Sequence, residues 1–325
     1  MNRLTGFFGT PPPTVGVEIS ATRIAAVRLA PDEGPALVTG LAVEPLPPGA
    51  VVPALNAPNI ADRSTVAAAV RTALQQIGGR SRRAVLVVPD TVAKVSVLRF
   101  EKVPPRAADL TELIAWQVRK SVPFPVDQAQ LSYVPGAQAP DGREFVVTLA
   151  RRDIIAEYEA VCEDAGVQAG VVDLATFDLV NAVVAAGGSL QGDALLVNLA
   201  PDYLAVVILR DGQLMFYRHR GSESDGSLAD VVHQTAMYYE DRLGGRGFTR
   251  AILAGAGRGA AALGPDADWP DIEDARRRLE ARLGTRVEMI DPRPAVSLAE
   301  RISASPALLD TLAPVVGLLL RERTG

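Results

Sequence analysis

Few residues in this chain could carry chemistry, and they are spread thinly. His219 and His233 are the only histidines, and neither sits at a carboxylate or histidine spacing that would suit a metal. Cys162 is the only cysteine, so no disulfide framework or cysteine-rich metal centre can form within one chain. It lies in a helical pattern and reads most simply as a small core residue. There is no Gly-x-Ser-x-Gly elbow to present a serine nucleophile, and no Walker A loop to cradle a triphosphate. Asp241-Arg242, and Asp291 with Arg293, read as surface pairs. Ala254-Gly255-Ala256-Gly257 follows a short apolar run, and a Gly-x-Gly there lets a flat ligand approach the backbone, although such a pair is common by chance.

Composition narrows the partners. The formal net charge is -5, which argues against a nucleic-acid binder, since that class shows a basic excess or a clustered basic face. The run Arg276 to Arg278 reads as a solvated helix face. With 325 residues, 48% of them hydrophobic, the chain can build two packed domains. Aromatics are only 5%, so the core must be mostly Val, Leu, Ile and Ala. No apolar run approaches the ~18 residues that cross a bilayer. The first residues, MNRLTGFFGTPPP, lack the apolar centre of a signal peptide, so a cytoplasmic protein is expected. Leu4, Phe7 and Phe8 read as a frayed tail.

The elements that must position any site follow from periodicity. Thr14 to Ser20 alternates as a strand, and Ile24 to Leu29 and Ala36 to Val43 follow as two more. Helical spacing runs from Arg63 to Ile77 and stops at Gly78-Gly79. Ala84 to Val88 is a buried strand. The same order returns later: Ala194 to Leu199, Leu204 to Leu209, Gln213 to Tyr217, a helix from about Ser227 to Leu243, and a strand from Arg250 to Ala254. Asp211-Gly212 is a strong hairpin turn. A duplicated β-β-β-α-β unit is the plan of the actin, Hsp70 and sugar-kinase fold, in which two halves face a cleft.

Between the halves, Thr91 to Gly170 reads as a small insert with a hairpin at Pro140-Asp141-Gly142. It contains Glu112 to Pro125 (ELIAWQVRKSVPFP), an amphipathic helix ending at a stiff Pro-Phe-Pro corner. Asp109 reads as its N-cap, with Glu112 three residues on as in a capping box.

This wording resembles the type IV pilus assembly PilM family, actin-fold relatives of the cell-division protein FtsA. Val15 to Leu29 (VGVEISATRIAAVRL), Glu112 to Pro125, Ile154 to Gly166 (IIAEYEAVCEDAG), Val172 to Val183, Ala194 to Arg220, Ile252 to Gly257 and Leu312 to Leu320 carry the likeness in order. Paralogues sharing the fold, such as the secretion protein GspL and MSHA-type biogenesis proteins, stay open beside it.

The resemblance implies an α/β actin-like fold. Residues 14–90 and 171–191 would form the first half and 91–170 a 1C-type insert. Residues 192–325 would form the second half, its last helix folding back toward the first. It also implies where a nucleotide would lie. The first phosphate hairpin would be Glu18, Ser20, Ala21 and Thr22, and the second Asn198, Ala200 and Asp202. The adenosine turn would be Gly255 and Gly257. Relatives carry Asp-Ile-Gly in both hairpins. Here Glu18 is one methylene longer, Ser20 and Ala200 replace glycine, and Asn198 replaces a carboxylate. Pro201 has no N–H to donate, and Tyr203 adds bulk. Ala175 stands where relatives carry the acid that orients water; Asp173 and Asp178 are near, and read as a helix cap and a surface charge.

Phosphoryl chemistry rests on positioning and a metal, so these changes imply ATP and magnesium bound weakly or not at all, and no turnover. The alternative is an active ATPase or sugar kinase of the same fold. The family likeness implies a cytoplasmic scaffold at the inner membrane. It would bind the short cytoplasmic leader of a PilN-like membrane protein where the insert meets the first half and reach the membrane only through that partner; self-association stays open. Phe124, with Trp116 two turns earlier, is the expected anchor. The competing reading is that both aromatics pin the helix to its own sheet.

Overall fold

Val15, Val17 and Ile19 begin a strand that is buried on both faces, and the rest of the first half is built around it. In the computed structural model, which describes residues 11–31, 34–78, 81–139, 141–187, 190–221, 228–255, 272–300, 302 and 305–324, β1 (Val15–Ile19) pairs antiparallel with β2 (Arg23–Leu29). β2 pairs antiparallel with β3 (Leu37–Pro45). β1 lies parallel to β4 (Arg83–Val88), and β4 parallel to β8 (Gln168–Leu174). With β14 (Ser297–Leu298) they make a six-stranded sheet in the order β14-β3-β2-β1-β4-β8. Helix α1 (Arg63–Ile77) has the bounds its periodicity predicts. Asp62 caps it by accepting from the Thr65 N–H at 3.0 Å.

The second half repeats the plan. β9 (Asp193–Leu199), β10 (Tyr203–Arg210) and β11 (Gln213–Gly221) form an antiparallel meander. After α5 (Leu228–Leu243), β12 (Arg250–Ala254) returns parallel to β9. β13 (Val287–Met289), reached through α6 (Ile272–Leu283), extends the sheet to five strands.

A third sheet belongs to the insert. β5 (Ala93–Phe100), β6 (Ala129–Ala139) and β7 (Gly142–Arg151) pair in the order β5-β7-β6. α2 (Ala107–Val118) covers one face through Leu110, Ile114 and Val118 against Phe145, Val147 and Leu149. The capping box is absent. Arg106 is the N-cap and makes no side-chain cap bond, while Asp109 lies in the first turn and takes Arg106 at 2.8 Å. The helix also ends at Val118, before Pro123 can act as its stop; Ser121 closes the end by donating its N–H to the Val118 carbonyl at 2.8 Å.

One helix packs away from where its place in the chain suggests, and the last folds back onto the first half. α3 (Arg152–Asp164) buries Ile154, Tyr158, Val161 and Cys162 in the same core as Val66 and Val70 of α1, so by packing it belongs to the first half. Burial pushes the Cys162 thiol up to about 12, consistent with an inert core residue. The last helix, α7 (Pro306–Thr324), lays Leu312, Val315, Val316 and Leu319 on the other face of the first sheet, against Val27, Val85 and Val87. It also packs on α4 (Ala175–Ala185). The contact is backbone-close: a Cβ on Gly317 would meet the Asp178 carbonyl oxygen at 1.9 Å. Among the described residues no helix is long and apolar enough to cross a membrane.

Candidate functional site

The two hairpins that would wrap a phosphate do face each other, and several of their polar atoms are already engaged, whereas Thr22 Oγ1, Arg23 Nε and Asp202 Oδ2 are buried without a hydrogen-bond partner. In the β1–β2 turn, Ser20 donates its N–H to the Arg23 carbonyl at 3.0 Å. Its hydroxyl also bonds Arg23, donating to the carbonyl at 3.0 Å and accepting from the amide at 3.2 Å. Ala21 and Thr22 form the tip. Arg23 then turns back along the strand, and its Nη2 lies 2.9 Å from Glu18 Oε2. Their side chains are only 6% and 4% exposed. Arg23 is a site residue that the motif reading misses; its signal is an opposite charge five residues from Glu18, across a tight turn.

In the β9–β10 turn, Ala200 spends its N–H on the Tyr203 carbonyl at 2.9 Å. Asp202 is largely buried, and its Oδ2 has no hydrogen-bond partner. Burial first, then the charges of Asp90 and Glu18, push its carboxyl up to about 6. Near neutral pH it is an anion facing the place where a phosphate would sit. The void bounded by Glu18, Ser20, Arg23, Ala200 and Asp202 holds about 10 Å³, at the lower limit for one water. This donor set does not fit a magnesium triphosphate.

Asn198 is not a vacant remnant of a metal ligand. Its Nδ2 donates to Thr176 Oγ1 at 2.9 Å and to the Tyr203 hydroxyl at 3.2 Å. Thr176, at the start of α4, donates its amide to Asp90 Oδ1 at 3.2 Å and its hydroxyl to Asp90 Oδ2. Asp90, Thr176 and Asn198 are all fully buried. Burial, then the Asp90 charge, raises the Tyr217 phenol well above its usual range. Asp90 is the second residue the sequence reading misses. As a lone Asp after a strand it carries no motif, and only the fold shows that it holds Thr176, which in turn accepts from Asn198 of the second half.

The adenosine turn is half visible. Gly255 has φ +88, and its N–H donates to Asp310 Oδ1 of α7 at 2.6 Å. Gly257 lies outside the described residues. On the return segment, Ala175 packs in the core. Asp173 pairs with Arg321, and Asp178 is fully buried rather than a surface charge. Burial, then Asp173, holds the Asp178 carboxyl well above the usual range.

The second candidate site is a groove of about 720 Å³ beside the insert. One wall is β6, with Ser132, Val134 and Gly136; another is β8, with Val172 and Asp173. Phe177 and Val180 of α4 and Leu214 of β11 complete an apolar lining, and Arg321 stands at the rim. Among the described residues β6 and β8 each end their sheet, so each leaves one row of backbone groups without a described strand partner.

The two predicted aromatic anchors are not here. In a strand, alternate residues face opposite sides. Val146, Thr148 and Ala150 of β7 face the groove, while Phe145, Val147 and Leu149 face α2. Phe124, at 7% exposure, is packed in that α2-side core. Trp116 is 67% exposed and makes no part of the groove lining. The two do not share a face: Phe124 pins the insert, as the competing reading has it, and Trp116 points to solvent. Among the described residues no group of His, Cys, Asp and Glu could hold a metal ion.

A family model described as type IV pilus assembly protein PilM matches residues 16–241. Among solved structures, the chain is similar to the PilM-PilN type IV pilus biogenesis complex, with TM-score 0.80 and 17% identity, over 97% of this chain and 99% of that one. It is also similar to a protein of Bacteroides thetaiotaomicron described as having an actin-like ATPase fold and unknown function. There the TM-score is 0.53 and the identity 9%, over 94% of this chain and 95% of that one. At these identities the likeness establishes the fold, which is actin-like.

Proposed function

This chain belongs to the type IV pilus assembly protein PilM family, and from that premise we propose that it is a non-catalytic scaffold whose task is to hold a peptide. The peptide is the cytoplasmic leader of a PilN-like inner-membrane protein, bound in extended form in the groove between the insert and the first half. Through it the scaffold sits peripherally at the inner membrane. The observation that carries this reading is the groove itself: about 720 Å³, apolar, and flanked by two sheet edges. An extended chain can add to such an edge by main-chain hydrogen bonds while alternate side chains fill the apolar lining. The solved relative, a PilM-PilN complex, supports the kind of partner; the groove supports the place.

The test is fluorescence anisotropy with labelled leader peptides from membrane proteins encoded beside this chain. Val134 stands on β6, lines the groove and is 56% exposed, so Val134→Arg should fold. It should weaken the leader at least ~10-fold, a loss of ~1.4 kcal/mol or more. Wild-type protein that binds no such leader, or Val134→Arg that binds it unchanged, defeats the reading.

A further inference from the structure

We propose that Arg23 is a built-in replacement for a divalent cation, so that the Glu18 carboxylate is neutralised and the cleft held closed by the chain's own side chains. This goes beyond the leader-binding reading and stands without it.

The argument begins with Glu18. A carboxylate buried in the middle of a protein must be paired or coordinate a cation. In an actin-like fold the first-strand carboxylate faces the cleft, and here its partner is a guanidinium on the same hairpin, at 2.9 Å. Glu18 and Arg23 are both almost without solvent contact, so the pair is weakly screened and each charge depends on the other. A cation placed on Glu18 would meet Arg23's positive charge at the same distance. The geometry of the turn holds Arg23 there. Ser20, at the position where the resembled hairpins carry glycine, bonds both the amide and the carbonyl of Arg23 through its hydroxyl. The serine and the arginine therefore act together: one fixes the backbone of the residue that neutralises the acid.

The opposite side of the cleft follows the same rule. The N–H of Gly255 takes the Asp310 carboxylate at 2.6 Å. Asp310 belongs to α7, which packs on the first half, while Gly255 directly follows β12 of the second. Asp90, Thr176 and Asn198 form a second bridge between the halves. Thus these two links between the halves are internal hydrogen bonds, made without a nucleotide.

Thermal unfolding of the full chain decides the matter. Wild type, Arg23→Ser and Arg23→Lys are melted in magnesium chloride, in sodium chloride of matched ionic strength, and in magnesium with ATP. The wild-type Tm should stay within about 1 °C in all three. Arg23→Ser removes the positive charge beside the Glu18 carboxylate; it should melt lower, and magnesium but not sodium should recover at least about 3 °C. Arg23→Lys keeps a cation in place and should not respond to magnesium. If Arg23→Ser does not fold, refolding with and without magnesium gives the same readout: recovery with magnesium alone supports the replacement. Wild type stabilised by magnesium-ATP would overturn the proposal. So would Arg23→Ser that is indifferent to magnesium in both melting and refolding, since Arg23 would then be an ordinary ion-pair partner.

Discussion

In and around the cleft between the halves many polar groups are joined already: Glu18 to Arg23 on one hairpin, Asp90 to Thr176 within the first half, and Thr176 to Asn198 and Asp310 to Gly255 across to the second. The remaining space is about 10 Å³. In the groove beside the insert the lining is apolar, the space is about 720 Å³, and two sheet edges end there. One site has spent much of its hydrogen bonding on itself, and the other still offers the backbone groups of two sheet edges. The difference shows how a fold built around one ligand can serve another: the cleft becomes part of the core and the rim becomes the binding surface. Helix α4 stands behind both, with Thr176 on the cleft side and Phe177 and Val180 on the groove side.

The harshest way to break the comparison is to move α4. Gly317→Ala would place a methyl 1.9 Å from the Asp178 carbonyl oxygen and 2.8 Å from the Ala182 nitrogen. Both are backbone atoms of α4, so neither can rotate aside. The expected loss is above ~4 kcal/mol, and cleft and groove should fail together. Circular dichroism melts and leader binding, measured on the same preparation, check this. A Gly317→Ala protein with wild-type melting would show that α7 does not set the position of α4.

Next comes Phe124→Ala, which separates support of the insert from contact with the leader. Phe124 packs with Leu110, Ile114 and Phe145, so truncation should cost ~3–4 kcal/mol in urea unfolding. Because the groove lies on the other face of the sheet, leader affinity of the folded protein should change by less than about 3-fold. A tenfold loss with native circular dichroism would move the binding site to the α2 side.

These two cases also mark what was legible beforehand. The duplicated strand order is readable because buried strands of Val, Ile and Leu bounded by turns have few alternatives; α1 and β12 have the bounds their patterns predict. Changes at Ser20, Ala200 and Pro201 are readable because a phosphate turn needs small residues with free N–H groups: Ser20 and Ala200 replace glycine, and Pro201 has no N–H to donate. Arg23 and Asp90 are not readable in that way. Their roles come from partners, five residues away across a turn for one and 86 residues away for the other. Phe124 and Trp116 fail for a related reason. Helical spacing says which residues share a face, and the chain leaves α2 at Val118, before the Pro-Phe-Pro corner. The groove has no motif at all, since it is made of alternate residues on strands that meet only in the fold.

A gentler change sharpens the cleft side of the contrast through pH. Asp202 has its carboxyl pushed up from 3.8 to about 6, chiefly by burial. The folded state therefore holds a proton that the unfolded state has already released between about pH 4 and 6. Stability from this residue is highest below that window, falls as pH rises through it, and stays low above it. Asp202→Asn removes the buried charge. It should stabilise the protein by ~1–3 kcal/mol at pH 7.5, and by much less at pH 4.5. Urea midpoints at the two pH values test the sign. Equal effects at both would mean that Asp202 is ionised with little penalty, and that the cleft is wetter than its packing indicates.

Trp116→Ala should do least, and that makes it the sharpest control on the groove. The indole is the most exposed of the large hydrophobic side chains among the described residues, at 67%, and removing an exposed side chain away from any cap or network should change stability by no more than ~0.5 kcal/mol. An exposed tryptophan is also the kind of residue that dominates small interfaces, so a null result here has weight. If the leader lies between β6 and β8, it touches the sheet face turned away from α2, and Trp116→Ala should bind it as wild type does while Val134→Arg does not. If both substitutions weaken the leader, the peptide must run from the groove around the insert onto α2, and the site is larger than the cavity. If only Trp116→Ala weakens it, the sheet edges are not the binding surface, and the contrast between a closed cleft and an open groove loses its functional half while the closed cleft stands.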